Sequence, residues 1–289
     1  PEPDTLFDDY SGRGTASTMQ EMTIKEHLRP MDLKLEMPDW MMRMSPEERA
    51  AWDAAYEPRN EAFRALELTG KDLIRWKYQR YAKDYLRCIA SVDDSVGRIL
   101  DSIEALGLAE DTIVIYTSDQ GWYLGEHGWY DKRWMYEESF RTPFVLRWPG
   151  VVKAGRRTNL LSQNIDLAPT FLDVIGADVP ERMQGRSLVP ILESADDSEV
   201  DDIGWRDALY YRYYESLGPH KVPKHEGVRT RRYKLMVFPE LDEVELYDLK
   251  NDPDEMRSLA DDPAHAVIRV RLEDLLVELR DRYEVSEEW

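Results

Sequence analysis

The chain has 289 residues, 42% of them hydrophobic, and a formal net charge of −20. That is enough for one large or two moderate domains, and no apolar run reaches the length a membrane-spanning helix needs. The acidic balance argues against nucleic acid or an anionic membrane as a general partner, so an anionic substrate must be drawn by local positive charge or a bound cation. A single cysteine, Cys88, rules out an internal disulfide framework and a cysteine cage for zinc. The chain opens on Pro1 rather than Met, so its start is read as not the natural one.

The first thirty residues, with Pro1, Pro3, Gly12 and Gly14, read as irregular chain. Asp8-Asp9 offers two carboxylates, but no apolar strand leads into them, and a solvated loop is expected. Ser45-Pro46-Glu47-Glu48 combines a capping serine, a first-turn proline and acidic residues, predicting a helix that runs through Trp52 towards Tyr56. After Thr69-Gly70, the stripe Trp76, Tyr81, Tyr85, Ile89, Val92, Val96 and Ile99 predicts a second helix, with Cys88 as a buried thiol inside it. Ile113 to Tyr116 predicts a buried strand, and Phe144-Val145-Leu146 the next one.

Asp166 to Ile175 reads as a short helix capped by Asp166, and Glu193 to Asp202 as a solvated acidic excursion. Short alternating or apolar runs at 208–214, 227–230, 233–238 and 243–249, joined by turns, predict an antiparallel sheet. Asp262-Pro263 opens a last helix with Val267, Val270, Leu272, Leu275, Leu276 and Leu279 on its buried side.

Between the two central strands lies the stretch with most chemistry. In open α/β sheets ligands sit beyond the carboxyl ends of strands, where Ser118-Asp119-Gln120-Gly121 falls. Asp119 and Gln120 are hard oxygen donors suited to calcium or magnesium, though the same residues also fit an ordinary strand-closing turn. Lys132 can neutralise a tetrahedral oxyanion or simply face solvent. His127 can donate a proton near neutral pH or be a structural histidine. Gly121, Gly125 and Gly128 lace this loop, and Trp122, Tyr123, Trp129 and Tyr130 interleave its polar residues.

The run Ser118-Asp119-Gln120-Gly121-Trp122-Tyr123-Leu124-Gly125-Glu126-His127-Gly128, with Lys132 and Tyr136-Glu137-Glu138-Ser139, resembles the second half of a type I, formylglycine-dependent sulfatase of the alkaline phosphatase superfamily. The likeness extends through Ser91-Val92-Asp93-Asp94, Asp166-Leu167-Ala168-Pro169-Thr170, Gly227-Val228-Arg229-Thr230 and Glu245-Leu246-Tyr247-Asp248-Leu249. Tyr213-Tyr214-Glu215, His220 and His225 resemble the branch acting on 6-sulfated N-acetylglucosamine. The resemblance implies an α/β fold: an alkaline-phosphatase-like sheet flanked by helices and only partial in this chain, over residues 1–204, then a smaller C-terminal antiparallel-sheet subdomain with a terminal helix over 205–289.

The same resemblance makes Asp119 and Gln120 ligands of calcium, with Gln120 replacing the Asn or His of many relatives. It makes Lys132 the grip on the sulfate, His127 a further catalytic residue, and Glu215, His220 and His225 contacts to a sulfated carbohydrate substrate. It also implies a periplasmic, secreted or lysosomal setting. The family's formylglycine comes from the Cys of a C-x-P-S-R motif, and this chain has none. Cys88 is followed by Ile89-Ala90 and cannot be converted by that rule. The expectation is a sulfatase portion, inactive alone, completed by a missing N-terminal segment or second chain. A phosphonate or phosphodiester hydrolase of the same superfamily, and a non-catalytic glycan binder or inactive fragment, remain open beside it.

Overall fold

The computed structural model describes residues 1–37, 43–196, 204–216 and 218–286. Its helices are α1 (Ala16–Met19), α2 (Pro46–Leu66), α3 (Gly70–Ala105), α4 (Glu137–Phe140), α5 (Leu167–Val174), α6 (Val189–Glu193) and α7 (Ala266–Arg282). Its strands are β1 (Val114–Thr117), β2 (Tyr123–Leu124), β3 (Tyr130–Asp131), β4 (Phe144–Arg147), β5 (Ala208–Tyr213), β6 (His225–Thr230), β7 (Tyr233–Phe238) and β8 (Glu243–Asp248). The mixture of helices and antiparallel sheets is an α/β fold. Two compact units form: Pro1–Asp9, Gln20–Arg98 and Trp122–Lys132 make the first, and Tyr10–Met19, Ile99–Gly121 and Arg133–Trp289 the second.

In the first unit, Ser45 starts α2 through a reciprocal cap. Its hydroxyl accepts the Glu48 N–H at 3.2 Å, and the Glu48 carboxylate accepts the Ser45 N–H at 2.7 Å. The helix outruns the expected end near Tyr56 because Trp52, Tyr56 and Phe63 continue one face, and it stops where Glu67 turns left-handed at φ 46°. The unit's core gathers Leu6, Ile24, Leu28, Leu33, Tyr78 and Ala82. The opening thirty residues, largely irregular as expected, thus contribute Leu6, Ile24 and Leu28 to a core. The apolar stripe of α3 is half-buried at Trp76, Tyr81 and Tyr85, whereas Ile89, Val92 and Ile99 are exposed. Cys88 is exposed too, contrary to the expected buried thiol, because it lies on this uncovered half.

In the second unit, β1 and β4 pair antiparallel from Val114↔Arg147 to Thr117↔Phe144. The strand expected to be buried is open: Tyr116 is 41% and Val145 64% exposed, since among the described residues this ladder has two strands only. Strands β5 to β8 form a meander in chain order. Val228, Leu235 and Leu246 on that sheet pack with Leu272, Leu276 and Leu279 of α7. Each such leucine contributes about 1.5–3 kcal/mol by leaving water. Val267 and Val270 are exposed rather than buried, because at 100° per residue they fall on the other side of α7.

Asp166 does not cap α5 with its side chain. That carboxylate accepts the N–H groups of Gln163 and Arg186, each at 2.8 Å, and a buried fork from Arg206, with Nη2 at 2.7 Å. The acidic excursion expected at Glu193 to Asp202 lies outside the described residues from position 197 on.

Candidate active site

At the carboxyl end of β1 the Ser118 hydroxyl donates to the Gln120 carbonyl at 2.9 Å, folding the chain into a tight turn. Asp119 is exposed and Gln120 half-buried there. The next residue must be glycine: a Cβ on Gly121 would sit 2.1 Å from the Glu138 carbonyl oxygen. Its N–H donates to the Ser139 carbonyl at 2.8 Å. The hydroxyl of the same buried Ser139 accepts the Arg133 N–H at 3.1 Å. One serine thus fixes the chain just after Gln120 and, in sequence, just after Lys132.

Strands β2 and β3 pair as a short hairpin, Tyr123↔Asp131 and Leu124↔Tyr130. Its turn holds Gly125 at φ 109°, pressed against the Tyr78 ring where a side chain could not fit. His127 follows at φ 56° and is fully buried. Its Nδ1 lies 3.1 Å from Asp8 Oδ2, and its N–H donates to the Thr5 hydroxyl at 3.0 Å. Asp8 is only 4% exposed, so the solvated-loop reading of that residue is corrected: a partner remote in sequence covers it. Lys132 is half-buried, with Nζ 5.5 Å from the Trp122 ring centroid, and that ring stacks on Tyr85 at 5.9 Å.

The expected sugar-binding residues separate into two environments. His225 opens β6 and is fully buried, its ring 5.3–5.5 Å from those of Trp134, Tyr211, Tyr213 and Phe238. Nδ1 bonds the Pro223 carbonyl at 2.9 Å, and the buried Nε2 meets no hydrogen-bond partner among the described residues. Burial pushes its pKa down to about 4, so the imidazole is neutral at pH 7. Glu215 is exposed, accepting the Tyr213 hydroxyl at 2.8 Å with Arg133 Nε 4.0 Å away. His220 is half-buried in the turn that follows.

A buried ionic cluster holds the segment after Arg133. Lys234 is fully buried; its Nζ donates to the Met135 carbonyl at 2.7 Å and pairs with Glu137 at 2.9 Å and Glu255 at 2.8 Å. Glu137 also takes Arg229 Nη2 at 3.1 Å. Burial raises the Glu137 carboxyl, but Lys234 and Arg229 outweigh it and hold it at about 2. For Glu255 burial wins over Lys234, pushing it up to about 7.

Asp119 and Gln120 supply two hard oxygens of the kind calcium takes, which fits part of a larger donor set. No cluster of three His, Cys, Asp or Glu among the described residues completes one. Exposed, helical Cys88 does not fit a formylglycine precursor. Sequence reasoning missed Asp8 as a histidine partner, Ser139 as the tie and Lys234 as the anchor. None has a local signal, since each acts on a residue distant in the chain.

Two family models cover nearly the whole chain: the sulfatase model over residues 11–177 and the N-sulphoglucosamine sulphohydrolase C-terminal model over 125–282. The chain belongs to the sulfatase family. It is 44% identical over 98% of its length to an N-acetylglucosamine-6-O-sulfatase of Bacteroides thetaiotaomicron, covering 53% of that protein. The solved structure of BT4656 in complex with its substrate D-glucosamine-2-N,6-O-disulfate superposes with a TM-score of 0.92 at 43% identity, over 99% of this chain and 60% of the other. The phosphonate monoester hydrolase of Agrobacterium radiobacter gives 0.63 at 29% identity, over 72% of this chain and 42% of that one. The chain spans about half the length of the curated relatives it matches.

Proposed function

We propose that this chain is the C-terminal portion of a sulfuric ester hydrolase that desulfates a sulfated sugar, with 6-O-sulfated N-acetylglucosamine as the preferred class. The 44% identity to an N-acetylglucosamine-6-O-sulfatase along almost the entire chain carries this reading. Residues 1–204 belong to the catalytic α/β domain and 205–289 to the C-terminal subdomain. The nucleophile comes from a segment outside these residues, and the chain alone does not turn over. An extracellular or periplasmic setting suits such a substrate. Among the described residues no helix is long and apolar enough to cross a membrane.

Lys132 binds a sulfate oxygen and stabilises charge that grows on the leaving-group oxygen. Trp122 beside it limits where the ammonium can swing. Asp119 and Gln120 would hold Ca²⁺, which when bound supplies further positive charge at the sulfuryl oxygens. His127, locked to Asp8, keeps the hairpin that presents Lys132 in shape. Exposed Glu215 and half-buried His220 meet the sugar, and His225 supports that wall from inside.

The test is a substrate panel with the full-length protein: a 6-O-sulfated N-acetylglucosamine, an aryl sulfate, a phosphodiester and a phosphonate monoester. The sulfated sugar should have the highest kcat/KM. A phosphodiester or phosphonate hydrolysed faster than every sulfate ester overturns the reading.

A further inference from the structure

Helix α3 carries Tyr81 and Tyr85 one turn apart, so their rings leave it on the same face. Both rings meet Trp122. The indole Nε1–H donates to the Tyr81 hydroxyl, and the Tyr85 ring stacks on the indole with centroids 5.9 Å and planes 22° apart. The Tyr81 hydroxyl in turn donates to the Tyr123 carbonyl at 2.9 Å, accepting and donating at once. Its ring also meets that of Tyr130 edge-on at 6.2 Å. One helix thus holds the indole by edge and face, and reaches both strands of the β2–β3 hairpin.

That hairpin needs such a brace. Tyr123↔Asp131 and Leu124↔Tyr130 make up its whole ladder, and so short a ladder does not hold its own shape in water. Lys132 follows directly on β3, and Tyr123, bonded to Tyr81, pairs with Asp131 just before it. The ammonium sits at the end of a flexible stem, with Nζ 5.5 Å from the Trp122 centroid. The place of that charge therefore depends on where the indole stands, and the indole on Tyr81 and Tyr85. All of these residues lie in the first unit.

We propose that Tyr81 is a positioning residue for desulfation: it fixes Trp122 and, through that ring, the ammonium of Lys132, with Tyr85 as a second support. This rests on the sulfatase reading and on the role given to Lys132 there. A charge placed before the reaction begins stabilises the sulfuryl oxygens without having to be moved to them. Loss of the Tyr81 hydroxyl leaves its ring in place but takes the acceptor from Trp122 Nε1. The indole then turns more freely, and misplacing a reacting group by about 1 Å costs up to about a hundredfold in rate.

The test is a set of double-mutant cycles on the full-length enzyme, reading kcat/KM for 6-O-sulfated N-acetylglucosamine below the melting temperature of every variant. Tyr81→Phe and Trp122→Phe should each lower it by about tenfold or more. Neither should lower it further in a Lys132→Ala background, because the group they place is then gone. Trp122→Phe keeps the bond from Tyr81 to Tyr123, so it decides the question alone if Tyr81→Phe does not fold. Single variants as active as wild type overturn the proposal. So does a loss of the same size with and without Lys132, which a role in the fold alone would give. In both cases the sulfatase reading stands. A wild type that releases no sulfate from this substrate overturns that reading, and the proposal with it.

Discussion

His127 Nδ1 and Asp8 Oδ2 lie 3.1 Å apart across 119 residues of sequence, both side chains out of solvent. The pair fastens the turn of the β2–β3 hairpin to the start of the chain, with Thr5 adding a bond to the His127 backbone. Asp8→Ala leaves a buried imidazole nitrogen short of its partner, at a cost of about 1–3 kcal/mol. Urea denaturation should therefore show a lower midpoint for the first unit, read by the fluorescence of its tryptophans. An unchanged midpoint would show that the pair contributes nothing.

Glu255 makes stability fall with rising pH. Its folded pKa of about 7 stands above the ordinary 4.5, so between these values the folded state holds a proton the unfolded chain has released. Its contribution is greatest below pH 4.5 and declines up to pH 7. Glu137 works in the opposite sense: held at about 2, it stabilises above pH 4.5 and loses that effect as pH falls towards 2. Melting temperatures of wild type and Glu255→Gln should converge at low pH and separate from pH 4.5 to 7, with the variant losing less. Parallel curves would contradict the assignment.

His225 adds an acid-side slope. With its folded pKa depressed to about 4 from 6.5, it favours the folded state above pH 6.5 and loses that contribution as pH drops through 4. In His225→Phe, which keeps the ring among Trp134, Tyr211, Tyr213 and Phe238, the acid loss between pH 6.5 and 4 should be shallower than in wild type. Equal slopes would place the titration elsewhere.

Calcium should bind residues 1–289 weakly, because Asp119 and Gln120 are two donors of a set that normally numbers six or more. Calorimetry should find an affinity far below that of the full-length protein, and Asp119→Ala should remove it. Tight binding that survives Asp119→Ala would move the metal away from β1.

Local signals were legible in the sequence. The Ser45 and Glu48 cap, the short apolar run of β7 at 233–238, and Leu272, Leu276 and Leu279 on α7 depend on residues a few positions apart. Asp119, Gln120, His127 and Lys132 stand out together in the sequence because one stretch carries them all, and their roles remain those proposed above. What could not be read depends on long-range packing. Nothing near Asp8 announces His127, nothing near Lys234 announces Met135, Glu137 and Glu255, and His225 looks like a loop residue until four aromatic rings close over it. Exposure of Tyr116, Val145 and Ile89 was equally hidden, since an apolar run does not say which neighbours cover it.

The decisive measurement is sulfate release from 6-O-sulfated N-acetylglucosamine by the full-length protein, wild type against Lys132→Ala, at saturating calcium. In the role proposed for it Lys132 meets charge that develops in the transition state, and kcat/KM should then drop by about a hundredfold or more. The variant should keep the wild-type melting temperature, since a half-buried ammonium over Trp122 contributes little to the fold. A wild type that releases sulfate at a rate indifferent to the loss of Lys132 would contradict the account.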